Sequence, residues 1–544
     1  MRGRSRRQAA RPAADHARRF RRPSPPPFQR RGGRRGGGGD WRPGGVRLGR
    51  RHASGPARRR PIHRHRRYGR VVSQDLTRLA ATDLAAALRA REVSVSELLD
   101  AHLATIERLN PRLNAIVTLD AEGGRAAAKA ADERLTAGGD DLPPLLGLPV
   151  VIKDIVETAG MRTTWASPVF ADHVPDEDAE VVARLRAAGA IILGKSNTPE
   201  FAAGANTDNA LFGPTGNPWD PELSPSGSSG GSAAAVASGM VPIAQGTDFG
   251  CSLRMPAAFC GIVGLRTTPG LISNYPLELP WDPGQVLGPM ARNAEDAALL
   301  LDAMAGYSRM MPNSLIAPWT SALDTVRARA DAKGLRLAYA PDIAAIGVDG
   351  ELECICRAAA FGLAEDGAMV EEVDLDLSDA RDAYLTLRGE WMVGMQHDRL
   401  DNLDAFGGNL AGNVRSGLDT SLRELAEAEA VRTRVWHRYR ELFETYDALL
   451  MPMSPVPQFP VKKNFPDEIG GKKLENYVDW IAGAFLVTMA SIPAGSIPAG
   501  LSAAGLPVGL QVAGPRFAEP LILGLGKLIQ RANPLPWPSW ADRQ

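Results

Sequence analysis

The chain has 544 residues, 44% of them hydrophobic, which is material for one large globular domain or several ordinary ones. Its formal net charge of +1 hides an asymmetry: residues 1–70 hold 24 arginines, no lysine and two acids, Asp15 and Asp40, leaving 39 basic and 60 acidic residues for the body. An acidic body argues against nucleic-acid binding as its main task, because phosphate neutralisation needs clustered Lys and Arg. The four cysteines, Cys251, Cys260, Cys354 and Cys356, are too few for a disulfide scaffold, and the C-x-C pair has no second pair to complete a zinc site. Reduced thiols and a cytoplasmic location are the expectation.

Residues 1–72 are rich in Arg, Gly and Pro and poor in apolar side chains, so they cannot offset their ordering entropy by burial. We expect a disordered tail or an artefact of the assigned start, although no Met lies between Met1 and Met161 to begin a shorter chain. The run "RRGGRRGGGG" is similar to RNA-binding RGG segments, so nucleic acid is expected as a partner of the tail alone.

Residues 73–544 read as one domain. "SVSELLDAHLATIERLNP" predicts a helix, with Ser94 and Glu97 as a capping box, Leu99, Leu103 and Ile106 on one face, and Pro111 just past its end. "LLGLPVVIKDIV" has the β-branched content of a buried strand. "AEVVARLRAAGAIILGKSNTPEF" predicts a helix then a strand, and "AAAVASGM" a small-residue helix before the strand "VPIAQGT". Positions 320–445 are mostly helical and more polar, a cover over a site. "DALLMPMSP", "SIPAGLSAAGLPVGLQVAG" and a helix at "EPLILGLGKLIQRA" complete the chain. Alternating helices and apolar strands predict an α/β layered fold. The most apolar stretch, 483–514, is broken by Pro493, Pro498 and Pro507, so no membrane span of about 20 residues is expected.

The densest chemistry lies in "SPSGSSGGSAAAVASGMVPIAQGTDFGCSLR", which offers serines and glycines but no histidine. A G-x-S-x-G elbow centred on Ser229 would need a preceding strand and a downstream histidine. The preceding "NPWDPELSPS" is not a strand, and His397 and His437 sit in charged helical sequence. The run instead resembles the signature of the amidase signature family. "GLPVVIKDIVETAG", "ILGKSNTPEF", "NTDNALFGPTGNPWDP", "LGPMARNAEDAALLLDAMAG" and "GLPVGLQVAGPRFAEP" resemble family blocks in family order, so that the likeness spans roughly residues 75–535.

The resemblance implies the amidase signature fold, a large mixed sheet with helices on both faces. It implies a Ser–Ser–Lys triad: Ser252 as nucleophile, Ser228 as the bridging serine after a cis peptide bond, and Lys153 as base. It assigns the oxyanion hole to the backbone N–H groups of Phe249, Gly250, Cys251 and Ser252. Asp248 and Arg254 are expected to brace the loop, and Ser229 to join the network. A buried lysine suits the role because desolvation disfavours its charged form. Cys251 stands where the family usually has glycine, and Ser226 also replaces a frequent glycine; a positive φ at Cys251 would strain it. The expected activity is hydrolysis of a small amide without metal or organic cofactor. The alternatives are the glutaminase-type component of a tRNA-dependent amidotransferase, and a weakly active relative that acts through its Arg tail. Trp281 and Trp391 hint at an apolar or aromatic acyl group. Homodimers are common in the family, so a second copy is a further partner to test.

Overall fold

The computed structural model describes residues 75–139, 141–474 and 476–544; the expectations for the Arg-rich tail lie outside these residues. Eleven short stretches, most of them buried apolar or small-residue runs, form a single mixed sheet. In chain order the first nine strands are β1 (Ile116–Leu119), β2 (Pro149–Lys153), β3 (Ile191–Ser196), β4 (Ile243–Asp248), β5 (Val263–Arg266), β6 (Val286–Ala291), β7 (Arg336–Tyr339), β8 (Met369–Glu372) and β9 (Ala448–Pro452). A small hairpin, β10 (Glu468–Ile469) and β11 (Lys472–Lys473), stands apart; β12 (Ala494–Leu501) and β13 (Pro507–Ala513) return to the sheet. The spatial order is β1-β3-β2-β4-β6-β5-β12-β13-β9-β7-β8.

Side chains alternate faces along a strand, and the two cores follow that rule. Leu337, Tyr339, Leu450 and Val512 join one buried cluster, with Ile522 and Leu525 of helix Glu519–Ala532. Their neighbours Ala338, Leu449, Met451 and Ala513 join the other, with Tyr384, Val435 and Phe485 from three helices of the opposite layer. Helices therefore cover both faces, as expected. The stretch 320–445 supplies β7 and β8 as well as helices, and its strand-free helical part is 378–442.

Helix Val95–Leu113 has both halves of its capping box, and Leu99, Leu103 and Ile106 are buried. Pro111 lies inside this helix rather than beyond it. In the last turn a proline forfeits one hydrogen bond at most, and Asn114, in the left-handed conformation, closes the end by donating to Asn110 C=O at 2.7 Å.

Candidate active site

Strand β2 runs parallel to both β3 and β4, so the carboxyl ends of all three meet at one edge of the sheet. Lys153 is the last residue of β2 and Asp248 the last of β4. Ser228 and Ser229 arrive on the turn before helix Gly230–Ala237. That helix is built of small residues because it lies against the end of β3: a Cβ on Gly231 would collide with the Asn197 backbone. The Gly227–Ser228 peptide is cis, in line with the resemblance.

Lys153 is wholly buried, and its Nζ lies 2.6 Å from Ser228 Oγ, 3.0 Å from Ser229 Oγ and 2.9 Å from Thr247 Oγ1. Burial pulls its pKa from 10.5 down to about 7, against the opposing pull of the Asp248 carboxylate. A neutral amine has two N–H donors and one lone pair, so one of the three hydroxyls must donate to it. Ser229 directs its own proton to Thr247 C=O at 3.2 Å, so it accepts from Lys153. Ser228 makes the shortest contact and is the natural donor. Sequence reasoning does not find Thr247, because nothing in "GTDFG" distinguishes its hydroxyl from that of an ordinary strand threonine.

Ser252 shares one narrow cleft with Ser228 and Thr247. The Ser228 and Ser252 hydroxyls are not hydrogen-bonded to each other among the described residues; the backbone joins them, through Ser229 N–H to Ser252 C=O at 3.2 Å. The N–H groups of Phe249, Gly250, Cys251 and Ser252 take no part in the described hydrogen bonds, whereas Leu253 N–H is held by Asp248 Oδ2 at 3.0 Å. All four residues line the cleft.

Behind the loop, Asp248 and Arg254 pair with each other. Both are fully buried, and the guanidinium grips the carboxylate through Nε (3.0 Å) and Nη2 (2.9 Å). Arg254 also donates to Gly250 C=O at 2.7 Å and to Gln511 Oε1 at 2.6 Å. Arg266 donates to Asp248 C=O at 2.9 Å. Burial alone would raise the Asp248 carboxyl, but the two arginines outweigh it and hold its pKa below the usual value. Cys251 is not in a positive-φ conformation; its side chain is buried and its Sγ lies 3.5 Å from Gly227 C=O. The left-handed residue is Ser226, at φ 64°, which accounts for glycine being frequent there.

A model of the amidase family matches residues 97–523. The chain belongs to the amidase signature family. It is 36% identical over 486 residues to the A-type component of glutamyl-tRNA(Gln) amidotransferase from Roseiflexus sp. (strain RS-1), covering 84% of this chain and 97% of that protein. It is 34% identical over 486 residues to an acylamidase of Rhodococcus erythropolis, covering 87% and 98%. Among solved structures, a bacterial aryl acylamidase of the same family superposes with a TM-score of 0.78 at 26% identity, covering 85% of this chain and 98% of that one. These relatives place the chain among amide-acting enzymes.

In this amidase signature protein one further cleft wall comes from helix Arg381–Met395, and others from the stretch 201–205 and from Tyr477 and Ile481. Trp391 stacks on Phe249 with ring centroids 4.3 Å apart, and Arg388 and Met392 stand beside it. A Cβ on Gly250 would sit 2.8 Å from Tyr384 Oη. Beyond Trp391 lies an outer chamber whose walls set Glu278, Asp282, Glu390 and Glu429 against Arg388 and Arg432. Trp281 lines that chamber and is 77% exposed, so of the two tryptophans only Trp391 reaches the inner cleft. The one trio among the described residues able to bring three donors within 4.8 Å for a metal is Glu278, His397 and Asp398, all exposed and none in the cleft. No helix of the described residues is long and apolar enough to cross a membrane.

Proposed function

We propose that the protein hydrolyses a small carboxylic amide to an acid and an amine or ammonia through an acyl-enzyme on Ser252. The supporting observation is a wholly buried lysine of lowered pKa, 2.6 Å from Ser228, one of the two serines that line the same cleft. In this reading Ser252 Oγ attacks the carbonyl carbon while its proton passes to Ser228 and the Ser228 proton to Lys153. The Ser228–Ser252 contact closes with substrate bound, as catalytic hydrogen bonds commonly do. The free N–H groups of residues 249–252 take the developing oxyanion. Collapse breaks the C–N bond, and the proton held on Lys153 returns through Ser228 to the leaving nitrogen. Water then attacks the ester by the same relay. The test is turnover of an amide panel, from short aliphatic amides through anilides to glutamine, beside Ser252→Ala. A substrate turned over by the wild type and not by the variant supports the mechanism. Equal turnover by both would overturn it.

The 36% identity to the amidotransferase component favours a second reading, a glutaminase that works within a complex. Glutamine as the preferred panel member, together with co-purifying partner proteins, would decide for it.

A further inference from the structure

Arg388 is the one charged residue among those lining the inner cleft. It is 5% exposed, and no carboxylate lies within 4.0 Å of its guanidinium among the described residues. Its Nε donates to Asn413 Oδ1 at 2.9 Å and its Nη2 to Tyr477 Oη at 2.7 Å; Nη1 has no partner among the described residues. The guanidinium also lies over the Phe249 and Tyr477 rings, 5.7 and 5.6 Å from their centroids. Tyr384 and Trp391 share its helix face at i−4 and i+3. Trp391 Nε1 is buried and likewise without a partner among the described residues, whereas the Tyr384 hydroxyl lies against the guanidinium. A buried cation is costly unless paired, and a buried donor without an acceptor is destabilising. Fixed cation and orphan donor together, at a cleft wall, are complementary to an anion.

We propose that Arg388 and Trp391 form an anion subsite, so that the substrate is an amide carrying a carboxylate. This rests on the hydrolase reading for calling the ligand a substrate, but the subsite itself is tested by binding alone. Asn413 and Tyr477 fix the guanidinium plane, and Phe249 ties it to the oxyanion loop. Nη1 is left to pair with a carboxylate oxygen, with Trp391 Nε1 as the candidate second donor from the same helix face. The inner cleft offers no competing negative side chain, whereas the outer chamber carries four acids and disfavours the anion.

The experiment measures binding to full-length Ser252→Ala protein by calorimetry, which needs no turnover. Two matched pairs locate the anion: succinanilic acid against pentananilide for the acyl side, and benzoylglycine against benzoylglycinamide for the amine side. At least one acid is expected to bind about 10- to 100-fold tighter than its neutral counterpart, as a charge-assisted hydrogen bond allows. Adding Arg388→Gln should abolish that preference, and Arg388→Lys should keep part of it. Trp391→Phe, which removes Nε1 and preserves the stacked ring, should reduce it by about threefold to tenfold; this arm stands even if Arg388→Gln fails to fold. Equal binding within both pairs would overturn the proposal. So would an Arg388→Gln variant that weakens acid and neutral probes alike, since that marks a packing role against Phe249. Unchanged hydrolysis by Ser252→Ala beside a retained acid preference would sink the Ser252 mechanism and leave the subsite standing.

Discussion

Two buried lysines stand one strand apart and do different work. Lys153 ends β2; Lys195 is the penultimate residue of β3, paired in register with Ile152. Side chains alternate, so the two point to opposite faces of the sheet. Both are fully buried, and burial lowers both pKa values, to about 7 and about 8. The difference lies in their partners. Lys195 is held by Val156 C=O, Thr158 Oγ1 and Thr163 Oγ1, and its charge is supported by buried Asp154. Lys153 touches three hydroxyls, and those of Ser228 and Thr247 belong to residues that line the cleft. Desolvation therefore lets either lysine shed its proton near neutrality, but only Lys153 lies against the hydroxyl of a cleft-lining serine, from which a neutral amine can accept one.

The comparison can be broken most sharply by deletion. Lys153→Met should lower kcat by about 10³-fold or more, with the fold intact by circular dichroism. Lys195→Met should leave turnover within about tenfold. It should instead cost about 1–3 kcal/mol in urea denaturation, because the buried Val156 carbonyl and the Thr158 and Thr163 hydroxyls lose their shared donor. If Lys195→Met abolished turnover at full stability, the division of labour would be wrong.

A pH profile sharpens the contrast further. Below its folded pKa of about 7 Lys153 keeps its proton and cannot accept one from Ser228, so log kcat/KM should rise by about one per pH unit up to about 7 and then level. Stability follows the same sign. Between about 7 and 10.5 the unfolded chain binds a proton at Lys153 that the folded chain does not, so this lysine's contribution to stability rises with pH. A rate that fell on going from pH 6 to pH 7.5 would exclude Lys153 as the base. The smallest effect is expected at Cys251→Gly: no positive φ is relieved there, so turnover should change by less than about threefold, under 1 kcal/mol. A large gain would show that the thiol distorts the oxyanion loop.

Much of this is legible in the sequence, for a definite reason. Lys153, Ser228 and Ser252 lie in blocks long enough to be matched as blocks; the structure brings the two serines to one cleft and sets Lys153 against Ser228. Asp248 and Arg254 read as a brace because they flank the same loop. What stays hidden depends on pairing across distance. Arg266 reaches Asp248 only once β5 is in the sheet, and Gln511 reaches Arg254 from a strand 257 residues on. Arg388 gives no sign, since one arginine in a polar helical stretch reads as a solvated face until its burial is known. The positive φ expected to threaten Cys251 is found at Ser226 instead, because which position of a glycine-rich segment turns left-handed is fixed by tertiary contacts rather than by composition.

The near-contact between Gly250 and Tyr384 couples two parts of the protein that are 134 positions apart. A larger residue at 250 requires the Tyr384 side chain, and with it the neighbouring Ile481, to give way. In a library built to change substrate range, codons 250 and 384 should be randomised as a pair. Variants that enlarge one while trimming the other are the route by which this cleft can change size without losing its loop.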